Sequence, residues 1–213
     1  MSITLKTAPS APKYNKLGLK PFVFVGASSF TQLCATIKQD PESAVSKKHG
    51  VYVQIKGIAF SVKASPLVDD GLVFFNLANR QTAMVAFNQD IVLTPISAVE
   101  DLSVLKEITL EIGYFRADES KKRKLDCDVA TAYLKKRFIR QFFNRGQRIY
   151  FKLEIPDKVS LRVTVREVET LSTSLVGSAK GGTSFANSSR GILQPETEIK
   201  FVKTPQHPLV LEN

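Results

Sequence analysis

A chain of 213 residues that is 43% hydrophobic and 23% charged has ordinary globular proportions, which excludes disordered and fibrous classes and allows one large domain or two small ones. Its formal net charge of +10 and pI near 9.6 call for an acidic partner, whether nucleic acid, anionic lipid or an acidic protein surface. The apolar runs, such as residues 21–27 and 71–76, fall far short of the roughly 20 residues that cross a bilayer as a helix, and no charged start with a long apolar stretch follows Met1, so a cytoplasmic protein is expected.

In chain order, residues 19–96 read as strands and turns. Lys20-Pro21-Phe22-Val23-Phe24-Val25 comes first, then Val51-Tyr52-Val53-Gln54-Ile55 and Ile58-Ala59-Phe60-Ser61-Val62 around the turn-like Lys56-Gly57, which predicts a hairpin. The run Leu72-Val73-Phe74-Phe75 and the stretch from Gln89 to Ile96 read as further strands, and short strands at this spacing suggest a small barrel or sandwich. Residues 97–106 turn polar and mark the expected lobe boundary, before a strand over 108–114.

The second lobe has a different rhythm. Asp126 or Asp128 can cap a helix over 128–143 in which Ala130, Leu134, Phe138 and Phe142 recur every four residues, with Val129 and Tyr133 beside them. A strand over 149–155, a turn at Pro156-Asp157-Lys158 and the alternating Leu161, Val163 and Val165 follow, so this lobe reads as α+β. Residues 172–191 are rich in Ser, Gly and Thr and are expected to form a mobile loop; structure resumes at 191–193 and 197–202, and residues 204–213 read as a linker.

Catalytic chemistry is not legible. His49 and His207 lie in polar, turn-like contexts, and Cys34 and Cys127 form no metal-binding spacing; the two aspartates flanking Cys127 raise rather than lower a thiol pKa. The stretch from Gly177 to Ser184 lacks the Lys that follows the second glycine of a phosphate-binding loop, since Thr183 stands there, and it is read as a surface loop. The carboxylate pairs Glu167/Glu169 and Glu196/Glu198 have strand spacing and read as a solvated face. What remains is positive charge: Lys121-Lys122-Arg123-Lys124, and Lys135, Lys136, Arg137 and Arg140 on the helix. Tyr133, Phe138 and Phe142 follow the core stripe, which leaves no stacking platform for bases there.

Arg137-Phe138-Ile139-Arg140-Gln141-Phe142 and Gly146-Gln147-Arg148-Ile149-Tyr150-Phe151, followed by Arg190-Gly191-Ile192-Leu193 and Thr197-Glu198-Ile199-Lys200-Phe201, resemble in order the helix, Gly-Gln strand and closing strand of one family's N domain. That family is N-ethylmaleimide-sensitive factor, the AAA+ ATPase of vesicle fusion. In the first lobe, Asn79-Arg80-Gln81 and Phe87-Asn88-Gln89-Asp90-Ile91 resemble the same domain, with Thr82-Ala83-Met84 where the family usually has Trp. The resemblance implies a double-psi β-barrel over 1–100, an α+β roll over 101–203 and a linker over 204–213 toward ATPase modules outside this chain. It implies no catalysis and no cofactor in this chain, with ATP and Mg bound in a parent homohexamer while the isolated domain is a monomer. It also implies binding of SNAP adaptors that carry SNARE complexes through a basic groove between the lobes, with recruitment to membranes through those complexes. The matching position in the basic groove is Arg80, with Lys6 and Arg116 as companions. The alternatives are the N domain of a valosin-containing-protein-like ATPase, a basic nucleic-acid-binding protein and, least favoured, a small enzyme.

Overall fold

The computed structural model describes residues 2–38, 50–96, 103–116, 123–153, 159–172, 184–187, 189–205 and 208–212. The chain divides into two compact units, one formed by Met1–Asp101 with Arg140–Phe142, the other by Leu102–Ile139 with Phe143–Asn213.

The first unit is a closed six-stranded barrel. Its strands are β1 (Ile3–Thr7), β2 (Val23–Val25), β3 (Val51–Ile55), β4 (Ile58–Ala64), β5 (Leu72–Phe74) and β6 (Asp90–Pro95), in the order β1-β5-β2-β4-β3-β6. The β3–β4 hairpin turns at Lys56 and Gly57, both at positive φ (48° and 83°), as a tight two-residue turn between right-twisted strands requires. Two pairings are parallel, β1 with β5 and β2 with β4; the rest are antiparallel. Alternate residues point inward, so Val23, Val25, Val51, Val53, Ile55, Val62, Val73 and Leu93 are almost wholly buried.

Among the described residues two α-helices accompany the barrel where only strands and turns are read from the sequence. In α1 (Ala27–Thr36), Phe30, Leu33 and Cys34 recur at helical spacing and are buried. Its N-terminus has no local side-chain cap; Asp70 Oδ1 instead accepts from the Ser28 amide at 2.9 Å. Gly26 allows this approach, since a Cβ there would lie 2.3 Å from Asp70 Oδ1. The second helix, α2 (Leu77–Ala83), follows a 3-10 helix (Pro12–Leu17) in chain order. Tyr14, Leu17, Phe24 and Val68 form a smaller core of their own.

The second unit is built on a seven-stranded sheet ordered β10-β11-β7-β13-β9, with β12 added on β11 and β14 on β7. These strands are β7 (Val104–Tyr114), β9 (Phe142–Asn144), β10 (Arg148–Leu153), β11 (Val159–Ser172), β12 (Ser184–Asn187), β13 (Arg190–Ile192) and β14 (Glu198–Lys203). A separate parallel pair joins β8 (Arg123–Asp126) to β15 (Leu209–Glu212). Helix α3 (Cys127–Phe138) is capped by Asp126, whose Oδ1 accepts from the amides of Asp128 (2.8 Å) and Val129 (3.0 Å). Ala130, Leu134 and Phe138 bury with Leu110, Phe151, Leu161 and Val163.

Several expectations are corrected. The helix stops at Phe138 rather than 143, because Ile139 is extended (ψ 135°) and Arg140 turns to φ 60°; Phe142 opens a strand, and Val129 is exposed rather than buried. The expected linker carries β15, whose Leu209 is buried in the core. Within the expected loop 172–191, Ser184–Asn187 pairs with β11 and Arg190–Ile192 is a strand, Gly191 being pressed so close to Leu105 that a Cβ would sit 2.6 Å from Leu105 Cδ2. Residues 173–183 and 188 lie outside the described residues, as do the expected turn at 156–158, Lys121, Lys122 and both histidines. Glu196 stands in a turn, not on a strand beside Glu198.

Candidate binding surface

Arg80 sits in the middle of α2, half-buried. Three ties fix this short helix. Asn76 caps it by accepting from the Asn79 amide (2.8 Å) while its own amide donates to the Lys20 carbonyl (2.7 Å), and the Asn79 side chain donates to the Phe22 carbonyl (3.3 Å). At the other end Met84 adopts the left-handed conformation (φ 49°, ψ 52°), with Met84 N–H donating to Gln81 O and Val85 N–H to Arg80 O. The Lys56 ammonium holds the Met84 carbonyl at 2.9 Å.

The turn after α2 brings Phe87 to Arg80. Thr7 Oγ1 donates to Ala86 O and accepts from the Gln89 amide, both at 2.7 Å, and Gln89 Oε1 accepts from the Ala86 amide at 3.0 Å. So anchored, the Phe87 ring lies with its centroid 3.8 Å from the Arg80 guanidinium carbon, a stacked cation–π pair. Both flank a cleft of about 270 Å³ whose walls include Tyr14, Phe74, Phe75 and Leu77. Of its lining, Leu77 and Phe87 face solvent; Met84, 79% exposed, is the C-cap of α2 and not part of the lining. An exposed apolar surface centred on a rigidly held arginine has the composition of a protein-interface core, where aromatics, Met and Arg are enriched.

Neither of the other sequence-derived candidates lines the cleft. Lys6 is exposed on β1, opposite Asp90 on β6, and does not line the cleft. Arg116, exposed just beyond β7, belongs to the second unit. Several basic groups of the second unit are engaged in structure: on α3, Lys135 Nζ donates to the Pro195 carbonyl (2.6 Å) and Arg137 to the Tyr133 hydroxyl (2.8 Å), and on β8 Lys124 pairs with Glu212 (2.7 Å). Burial and then the neighbouring Asp126 and Asp128 push the Cys127 thiol pKa up, away from nucleophilic use. Among the described residues no group of three or more His, Cys, Asp or Glu could hold a metal ion, and no helix is long and apolar enough to cross a membrane.

A second surface emerges from strand register and is not visible in the sequence. On β10, Arg148, Tyr150 and Lys152 alternate with buried Ile149, Phe151 and Leu153; Tyr150 stands opposite Arg162 on β11, which stands opposite Gly113 on β7. Phe115, 40% exposed, packs edge-on against Tyr150 with ring centroids 4.8 Å apart. One solvent face of this sheet therefore mixes two aromatics with Arg148, Lys152 and Arg162, next to Arg116 in sequence. No known family model matches the chain.

Proposed function

We propose that this chain is a non-catalytic protein-binding module, the adaptor-binding N domain of an ATPase like N-ethylmaleimide-sensitive factor, receiving the acidic surface of SNAP adaptors that carry SNARE complexes. The observation that carries this reading is Arg80, stacked on Phe87 at 3.8 Å in an apolar cleft that exposed Leu77 also lines. The position singled out by the family resemblance lines this cleft, which supports the reading. Two parallel pairs inside an otherwise antiparallel closed barrel support a double-psi reading of that unit, and the sheet with α3 supports an α+β roll for the second. The net charge of +10 favours an acidic partner in either reading.

The test is SNAP binding by wild type, Arg80→Glu and a control reversal at the exposed Lys203. Arg80→Glu replaces attraction by repulsion in a close pair and is expected to cost about 2 kcal/mol or more of binding free energy, roughly thirtyfold in Kd. Equal losses for both variants reduce the effect to net charge, and unchanged binding by Arg80→Glu removes that residue from the interface.

The sheet face with Tyr150 and Phe115 favours a second reading, a single-stranded nucleic-acid surface, since stacking rings among arginines are what such surfaces use. Random oligonucleotides whose binding falls steeply with salt, and falls further in Tyr150→Ala, support it over the adaptor reading.

A further inference from the structure

We propose that the Arg80 cleft is a docking pocket for one large apolar side chain whose sequence neighbour carries a carboxylate, so that the partner is read at two points rather than by charge alone. This rests on the reading of the same surface as a protein-binding site and names the chemistry that the partner must present.

The apolar half of the motif follows from the walls. Tyr14 and Phe74 pack with ring centroids 4.7 Å apart, Phe75 and Leu77 extend the lining, and the space they bound, about 270 Å³, exceeds the roughly 150 Å³ at which an engineered apolar cavity takes up benzene. A phenylalanine or leucine side chain therefore fits. The acidic half follows from the charge. Among the described lining residues Arg80 is the one cation and none is acidic, and the stacked Phe87 ring holds the guanidinium without neutralising it. A carboxylate is the group that a fixed guanidinium fork binds best. A second copy of this chain is disfavoured as occupant by its own net charge of +10, and a nucleic-acid strand by the single cation.

The experiment titrates the whole chain, observed by amide NMR shifts, with three short peptides acetylated at one end and amidated at the other: Asp-Phe, Asn-Phe and Asp-Ala. Asp-Phe is expected to shift the amides of Asn76, Leu77, Arg80 and Phe87, and each of the other two to bind about tenfold more weakly or worse. Ala11→Leu, at a half-buried lining position, fills the cleft and is expected to abolish Asp-Phe binding with an unchanged Tm; if it unfolds, Ser10→Trp at an exposed lining position serves in its place. Arg80→Lys keeps the charge but loses the fork and is expected to resemble the Asn-Phe result. Equal binding of Asp-Phe and Asp-Ala, or undiminished binding after the cleft is filled, overturns the pocket. So does a concentration-dependent dimer that Asp-Phe disperses, or a random oligonucleotide that displaces Asp-Phe from these amides. Peptide binding without SNAP binding sinks the adaptor reading and keeps the pocket. SNAP binding that needs Arg80 but ignores Ala11→Leu keeps the adaptor reading and sinks the pocket.

Discussion

Arg80 and Lys63 illustrate two ways in which an aromatic ring holds a cation. The Arg80 guanidinium carbon lies 3.8 Å from the Phe87 centroid on a helix capped by Asn76, so the pair is formed before any partner arrives. Lys63 Nζ lies 4.5 Å from the Phe22 centroid, but burial first and the nearby Lys20 second push its pKa below the ordinary 10.5. The sign is that of a cation which the folded state disfavours. Between the lowered folded pKa and 10.5 the unfolded chain binds more protons, so this group's contribution to stability rises with pH through that window. Lys13, Lys124 and Lys200, whose pKa values are raised by carboxylate partners, contribute in the opposite sense, so the test is a difference. Urea titrations should show Lys63→Met gaining on wild type near neutral pH and losing that advantage as pH approaches 10.5; a pH-independent difference would contradict this origin.

Among the elements, α1 and α2 are each held by something that sequence order hides. The cap of α1 is Asp70, far along the chain from Ser28, so no local signal marks where the helix starts. Gly26→Ala places a methyl group against Asp70 and should dislodge that cap, lowering stability by about 1–3 kcal/mol in chemical denaturation. An unchanged midpoint would mean that the backbone shifts freely there. In α2 the left-handed Met84 stores strain that glycine would release, and its side chain, being mostly exposed, contributes little packing. Met84→Gly is expected to raise stability by about 1 kcal/mol, read as a higher midpoint in chemical denaturation. A lower midpoint would place Met84 in the packing of the fold instead. The legible parts were those with local chemistry: the Lys56-Gly57 hairpin, the Asp126 cap and the alternation along β10 and β11. The end of α3 was not, because Phe142 continues the helical spacing while no Gly or Pro announces the break at Arg140. At the candidate site only Arg80 could be reached from the sequence, and only through resemblance. That Leu77, Met84 and Phe87 face solvent beside it, or that Tyr150 and Phe115 meet on one sheet face, depends on contacts between distant segments.

At the scale of the whole molecule, the positive charge is divided into groups with different work. Lys135 and Arg137 on α3 tie a carbonyl and a hydroxyl of the second unit and Lys124 on β8 a carboxylate, whereas Arg80 lines a cleft among apolar neighbours. Closure of the barrel has a further consequence, for synthesis on the ribosome. Ile3 pairs with Leu93 and Leu5 with Ile91, so the first strand of the barrel in chain order is laid against its last. Until Asp90–Pro95 has emerged, β1 lacks one neighbour, the barrel stays open, and the inward valines and leucines of five strands remain uncovered. Folding of this unit therefore waits for β6, and until then its nascent form presents unpaired strand edges. Stalled nascent chains whose exposed portion ends before Asp90 should be cut rapidly by a protease, and those that expose Pro95 and some tens of residues beyond should resist it. Early resistance would show that β2 to β5 close on themselves and admit β1 and β6 afterwards.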